Sequence, residues 1–211
     1  MTRRVAVPPR STTRAALGFR AHSGWAALVA VAGPVAEPTV RLRRRVELSL
    51  RTPRQPFHAA EGQPFAAAEA LIEGATDEAT RLAQAAVREA ITELRGQGHE
   101  PVAAGLLLAT GRALPGLRET LASHALIHAA EGAMFRDALR QASLASGLRV
   151  VEIRERELDG RAASSLRHTT AALGDRLAQW GKALGPPWTQ DQKRAALVAW
   201  LALATERGDN G

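Results

Sequence analysis

The stretch Leu17 to Gly33, LGFRAHSGWAALVAVAG, constrains this chain more than any other. Apart from Arg20 it is apolar on either side of a small break at Ala21-His22-Ser23-Gly24, which divides it into a short piece and a longer one. A polar pair followed by glycine is turn chemistry, so Leu17 to Arg20 and Trp25 to Ala32 are predicted as strands joined by His22-Ser23-Gly24. The run falls short of the ~20 residues that a membrane span needs. Two adjacent apolar strands on one tight turn belong at the centre of a sheet.

Downstream, Val40 to Leu50 alternates, with Val40, Leu42, Val46, Leu48 and Leu50 on one face. Arg41, Arg43, Arg45, Glu47 and Ser49 take the other face, and Arg44 is the single break. Period-two patterning of this kind predicts a half-buried strand with a cationic outer face. Three strands with short connections predict an antiparallel meander. Arg51 to Pro64 is a proline-containing connector. A long helix is predicted over about Phe65 to Arg95, with an apolar stripe at Ile72, Ala75, Ala79, Leu82, Ala86 and Ala90. Gly74 is its candidate bend, and Gly96 and Gly98 end it.

Val102 to Ala109 is a continuous apolar run that suits a strand buried on both faces. Pro115 opens a helix running to about Ser146, and Leu148 to Ile153 forms a β-branched strand. Glu157 to Leu184 is mostly helical, interrupted by Gly160, Gly174 and Gly181. Thr189 and Gln192 have capping-box spacing before a last helix whose body, Ala195 to Ala204, is almost wholly apolar. Strands separated by helices pair in parallel through right-handed crossovers. The predicted architecture is therefore α/β, a mixed five-stranded sheet with three antiparallel and then two parallel strands. It forms one domain over residues 16–207, after a flexible basic tail at 1–15.

Without cysteine the chain has no disulfide, no thiolate nucleophile and no sulfur-ligated zinc. Met1-Thr2-Arg3-Arg4 superficially matches a twin-arginine signal, but two prolines follow and no hydrophobic region does, so the chain reads as a soluble, cytoplasmic protein. Its charge is uneven. Residues 1–54 hold eleven arginines against Glu37 and Glu47, a net +9, while the remainder nets −2. A basic quarter on a near-neutral body is a footprint for phosphate backbones. The competing account is a compositional habit, since Lys182 and Lys193 are the only lysines.

The element order resembles that of the ribonuclease-H-like superfamily, and the local text resembles the bacterial Holliday-junction resolvases. Leu17-Gly18-Phe19-Arg20 with Gly24-Trp25-Ala26 is similar to the opening of that family, in which an aspartate ends the first strand. Ala129-Ala130-Glu131-Gly132, followed by Gly147-Leu148-Arg149-Val150-Val151, is similar to its helix and fifth strand. Asp191-Gln192-Lys193-Arg194-Ala195-Ala196-Leu197 is similar to its last, acid-bearing helix. The resemblance implies a nuclease using clustered carboxylates to hold two Mg²⁺ or Mn²⁺ ions about 4 Å apart. The departures imply otherwise. Arg20 stands at the first-strand aspartate position, the fourth strand offers no acid, and only Asp191 remains of the last-helix pair, with Arg194 one turn later. Mg²⁺ or Mn²⁺ would follow only if the ancestral type of site were retained.

Other side chains cluster by spacing. His124, His128 and Glu131 fall at i, i+4 and i+7, a spacing that can bind a divalent metal or supply acid, base and orienting group. Leu117, Leu121, Gly132, Phe135 and Leu139 share that stripe, so buried core histidines are the competing expectation, with Gly132 admitting the sheet closely. The pattern His58-Ala-Ala-Glu61-Gly62-x-x-Phe65 recurs as His128-Ala-Ala-Glu131-Gly132-x-x-Phe135. Were both histidines to reach one cleft, they and the two glutamates would form a site; coincidence in an alanine-rich chain is the alternative. In the resembled fold His22, beside Arg20 and Ser23, lies at the cleft edge. Trp25 and Trp200 are expected in the core and Trp188, beside two prolines, partly exposed.

Two functional readings follow. One is a degenerate, non-catalytic ribonuclease-H-like protein that binds nucleic acid through Arg41, Arg43, Arg45 and Arg20. The other is an enzyme whose site is built from His22, His124, His128, Glu131 and Asp191, its metal unknown. A protein-interaction module is the third alternative. Nucleic acid is the expected partner, a membrane is not, and a homo-oligomer is compatible with either.

Overall fold

The computed structural model describes residues 12–108 and 114–205. Five strands form one mixed sheet: β1 (Thr13–His22), β2 (Trp25–Ala32), β3 (Thr39–Glu47), β4 (His99–Leu108) and β5 (Arg149–Arg154). Their spatial order is β3-β2-β1-β4-β5. β1 pairs antiparallel with β2, and β2 with β3, while β1–β4 and β4–β5 are parallel. The expected three-plus-two arrangement is present, with the opening hairpin at the centre of the sheet. β1 takes in Thr13 to Ala15, which the sequence assigns to the tail; the rest of the tail, up to residue 11, lies outside the described residues, as does Ala109 at the end of the fourth predicted strand.

Seven helices flank the sheet among the described residues: α1 (Pro56–Ala60), α2 (Phe65–Gly96), α3 (Leu117–Leu121), α4 (His124–Ala145), α5 (Leu158–Leu166), α6 (Thr170–Leu184) and α7 (Gln190–Thr205). Leu17, Phe19, Leu28 and Ala30 point to one face, where α1, α2 and α4 cover them. Ala16, Ala27, Val29 and Val31 point to the other, covered by α5, α6 and α7. Alternation along both central strands thus serves two cores at once, which is why neither strand of the opening stretch shows an apolar–polar alternation. Helix α7 is buried all round from Ala195 to Leu203, between the sheet and α5–α6. Trp200 lies in that core, its ring 5.5 Å from Trp180 and its indole N–H donating to the Val35 carbonyl at 2.8 Å.

Two glycines set how closely α7 sits. Gly18 of β1 and Gly105 of β4 are neighbours across the parallel ladder. A Cβ at Gly18 would fall 2.0 Å from the Ala195 carbonyl oxygen, and one at Gly105 would fall 2.5 Å from that of Val198. The helix backbone therefore rests directly on a glycine platform.

Several expectations are corrected. In β3 the partner of Ala30 is Leu42 and that of Val31 is Val40, so Arg41 is an extra residue that the ladder steps over. That bulge turns Val40 onto the α7 side, whereas Leu42 and Val46 face α2. Leu50 lies beyond the strand and is 67% exposed. The proline-containing connector holds a short helix, α1, and α2 passes unbroken through Gly74, which faces open space. The helix predicted over 115–146 is two helices, α3 and α4, with Ala122 and Ser123 between them. Gly132 does not face the sheet at close range, because the nearest atoms a side chain there would meet belong to the Arg136 guanidinium. Gln192 accepts from the Thr189 amide at 2.8 Å, one half of the expected capping box. No helix among the described residues is long and apolar enough to cross a membrane.

Candidate functional site

The carboxyl ends of β1 and β5 and the first turn of α7 meet at one edge of the sheet. Period two turns Gly18, Arg20 and His22 of β1 toward α7. Asp191, in the first turn of α7, receives both side chains: the Arg20 guanidinium hydrogen-bonds to Asp191 Oδ1, and His22 Nε2 lies 2.9 Å from the same oxygen. Arg20 also reaches Glu155 Oε1 at 3.0 Å, in the single 3₁₀ turn that follows β5. Arg194, one turn along α7, is paired at 2.6 Å with Asp159 of α5. The His22 ring stacks on Trp25 with centroids 4.3 Å apart and 12° between planes. Arg45 of β3 lies over the same indole, 3.9 Å from its centroid. Trp25 is thus half-buried between the His22 ring and the Arg45 guanidinium rather than enclosed in the core.

The residues here do not suit a pair of divalent ions. Such a pair needs several carboxylates converging without a fixed cation among them. Arg20 instead lies between Asp191 and Glu155 and neutralises both. β4 ends in Leu106-Leu107-Leu108, and residues 109–113 that follow contain no acid. Glu155 escapes notice in the sequence because it belongs to no periodic segment; its position just past the end of β5 is the signal that finds it.

The other predicted groups divide. Arg43 donates to the carbonyls of Gly185 and Pro187 at 2.8 and 2.5 Å, tying β3 to the loop before α7. Arg45 pairs with Glu47 as well as stacking on Trp25, while Arg41 is exposed at the bulge. Arg44 faces α2 and pairs with Glu93, with Glu89 3.5 Å away. Trp188, partly exposed as expected, covers Gly181 and donates to the Leu177 carbonyl at 2.8 Å.

His124, His128 and Glu131 lie on the opposite face of the sheet from Arg20, with α1 and α4. Neither histidine is in the core: both are exposed, and Glu131 alone is buried. The recurrent histidine motif does converge, as His58 of α1 packs its ring 4.6 Å from that of His128 and 5.5 Å from that of His124. Glu131 Oε2 accepts from His58 Nδ1 at 2.7 Å and from the His58 amide at 3.3 Å. The second contact caps α1, whose own Gln55 makes no side-chain cap. Burial pushes the Glu131 carboxyl up, and the hydrogen bonds and charge from His58 oppose that rise only in part. Oxygen Oε1 of Glu131 is buried without a hydrogen-bond partner.

No protein-family model matches the chain, and no curated protein sequence matches it. Solved structures do. The chain superposes on Thermus thermophilus RuvC in complex with Holliday junction substrate with a TM-score of 0.56 and 14% identity, covering 92% of this chain and 96% of that one. A second Thermus thermophilus RuvC structure gives 0.53 at 14% identity, over 92% and 95%. At that identity the likeness concerns the path of the backbone alone: the chain, with its mixed five-stranded sheet, has the ribonuclease-H-like fold seen in these RuvC structures.

Proposed function

We propose that this chain is a ribonuclease-H-like protein that lacks two-metal nuclease chemistry and binds nucleic acid through the arginine-rich surface beside Trp25. The observation that carries the first half is the Arg20 guanidinium held between Asp191 and Glu155. Ion pairs of opposite sign a few ångströms apart cancel the negative potential that would draw in Mg²⁺ or Mn²⁺. A single carboxylate on α7, with Arg194 a turn later, leaves no second ligand set. His22 and Asp191 then act as a fixed hydrogen-bonded pair that orients the Trp25 platform.

The second half is supported by the +9 charge of residues 1–54 and by the fold shared with a protein solved on a DNA junction. Arg41 and Arg45 are the exposed members of the β3 series, and Arg54 is exposed in the adjoining connector. Arg45 over an indole is a flat, cationic surface of the kind that accepts a sugar-phosphate chain or an unstacked base. Arg43 and Arg20, tied to carbonyls and carboxylates, shape this surface more than they contact a ligand. A homo-oligomer would extend the basic surface across two copies.

Gel retardation with duplex and four-way-junction DNA at low salt tests the binding. Retardation is expected, with a logarithmic salt dependence that loses about one unit of slope for each of Arg41→Ala and Arg45→Ala. Failure to retard either DNA refutes the binding. Cleavage of the junction in Mg²⁺ or Mn²⁺ that disappears in Asp191→Asn refutes the non-catalytic reading.

A further inference from the structure

The convergence of three histidines on the α1–α4 face goes beyond nucleic-acid binding, and none of these histidines belongs to that surface. One ring nitrogen from each of His58, His124 and His128 lies within 4.8 Å of the other two. His124 and His128 sit one turn apart on α4, with their Nε2 atoms 3.1 Å from each other. Two nitrogens bound to one tetrahedral zinc at 2.0–2.1 Å stand about 3.3 Å apart. That edge is therefore already formed. The remaining separations need to close by no more than roughly 1.5 Å to reach the same tetrahedral spacing, within the reach of side-chain torsions on the exposed His124 and His128.

The orientation of the rings points the same way. His58 is held through Nδ1 by Glu131, so in the neutral ring the proton lies on Nδ1 and Nε2 carries the free lone pair. His124 Nδ1 faces Glu61 Oε1 at 3.6 Å. Two of the three rings thus have a carboxylate behind Nδ1, the arrangement that fixes tautomer and direction in histidine metal ligands. A buried carboxylate with one oxygen unpartnered is costly to keep for helix capping alone, since a serine or asparagine before α1 would cap it. Both halves of the repeated His-Ala-Ala-Glu pattern contribute, each giving one histidine and one glutamate.

We propose that His58, His124 and His128 bind a divalent transition metal, zinc foremost, with Glu131 and Glu61 orienting the rings from behind. Three imidazoles without thiolate suit zinc, cobalt, nickel or copper and disfavour magnesium and calcium. With three protein ligands the fourth position is left to water or an anionic oxygen. His58 also lines an open cleft of about 620 Å³ with Ser23, Pro53, Arg54, Gln55 and Ala59, which gives an incoming anion both room and the cationic Arg54.

Calorimetric titration of the dialysed full chain with Zn²⁺ tests this, together with the visible spectrum after Co²⁺ addition. The expected result is one ion per chain and intense four-coordinate cobalt bands. His58→Ala, His124→Ala and His128→Ala should each weaken binding at least a hundredfold, and Glu131→Gln tenfold to a hundredfold. His168→Gln, on another surface, should bind as the parent does. Because His124 and His128 are exposed, their variants should keep the parent's circular dichroism. Absence of saturable Zn²⁺ binding overturns the proposal. So does binding that folded His124→Ala and His128→Ala retain at parental affinity.

Discussion

Replacing Glu78 by glutamine should lower stability by about 3 kcal/mol at neutral pH, and the loss should fade on acidification. Glu78, buried on α2, holds the connector between β3 and α1. Its carboxylate accepts from the amides of Leu50 at 3.3 Å, Arg51 at 3.1 Å and Thr52 at 2.9 Å, and from the Thr52 hydroxyl at 2.6 Å. Burial acts to raise its pKa, but these four donors together outweigh it and bring the value from 4.5 to about 2. A shift of that size is worth about 3 kcal/mol at roughly 1.4 kcal/mol per unit. Because the folded pKa lies below the unfolded one, the contribution is complete above pH 4.5 and is lost as pH falls toward 2. By pH 3 roughly half of it is gone. Glutamine keeps the shape but offers one acceptor oxygen and turns an N–H₂ toward groups that are themselves donors. Urea unfolding of parent and Glu78→Gln at pH 7, 5, 4 and 3 should therefore show a gap that narrows below pH 4.5. A gap that stays constant to pH 3 would refute the idea that the charge on Glu78 holds the connector.

Three more outcomes test other parts of the structure. Gly18→Ala and Gly105→Ala should each cost about 2–3 kcal/mol in chemical denaturation, because the new methyl meets the α7 backbone and not a movable side chain. Gly74→Ala, which faces open space on α2, should instead stabilise slightly. Arg20→Ala should lower stability by about 1 kcal/mol, as its pairs are partly exposed, whereas Arg20→Asp should place three carboxylates together and create weak Mn²⁺ binding measurable by electron paramagnetic resonance. His99 is buried with Nδ1 unpartnered, and burial, followed by the charge of Arg41, holds its pKa below 6.5. Its neutral form favours the fold, so stability should fall as pH drops below 6.5, and His99→Leu should flatten that part of the stability–pH curve.

Much of the sheet is legible from local pattern. The polar break at His22-Ser23-Gly24 gives the hairpin, alternation gives β3, and helix-separated apolar runs give the parallel half. Misreadings occur where a non-local contact outweighs pattern. The face of Val40 depends on a bulge at Arg41, which only pairing with β2 reveals. The apolar stripe of α4 predicts core histidines, yet α1, a helix hidden in a proline-containing connector, packs there and leaves His124 and His128 at the surface. Gly132 follows the same logic, since a glycine's neighbour is set by the fold and not by its own helix.

The sequence by itself determined the order of elements, the central place of the apolar hairpin in the sheet and the presence of Arg20 in its first strand. Those are one-dimensional facts, written in periodicity and residue type. Only the tertiary structure decided which charges meet. Asp191 and Glu155 come to Arg20 from α7 and the turn after β5, 171 residues along the chain in the case of Asp191. His58 and Glu131, 73 residues apart, share a proton-bearing contact that places three imidazoles together. Electrostatic and ligand geometry depends on distances of a few ångströms between segments remote in sequence, and no local pattern encodes those distances.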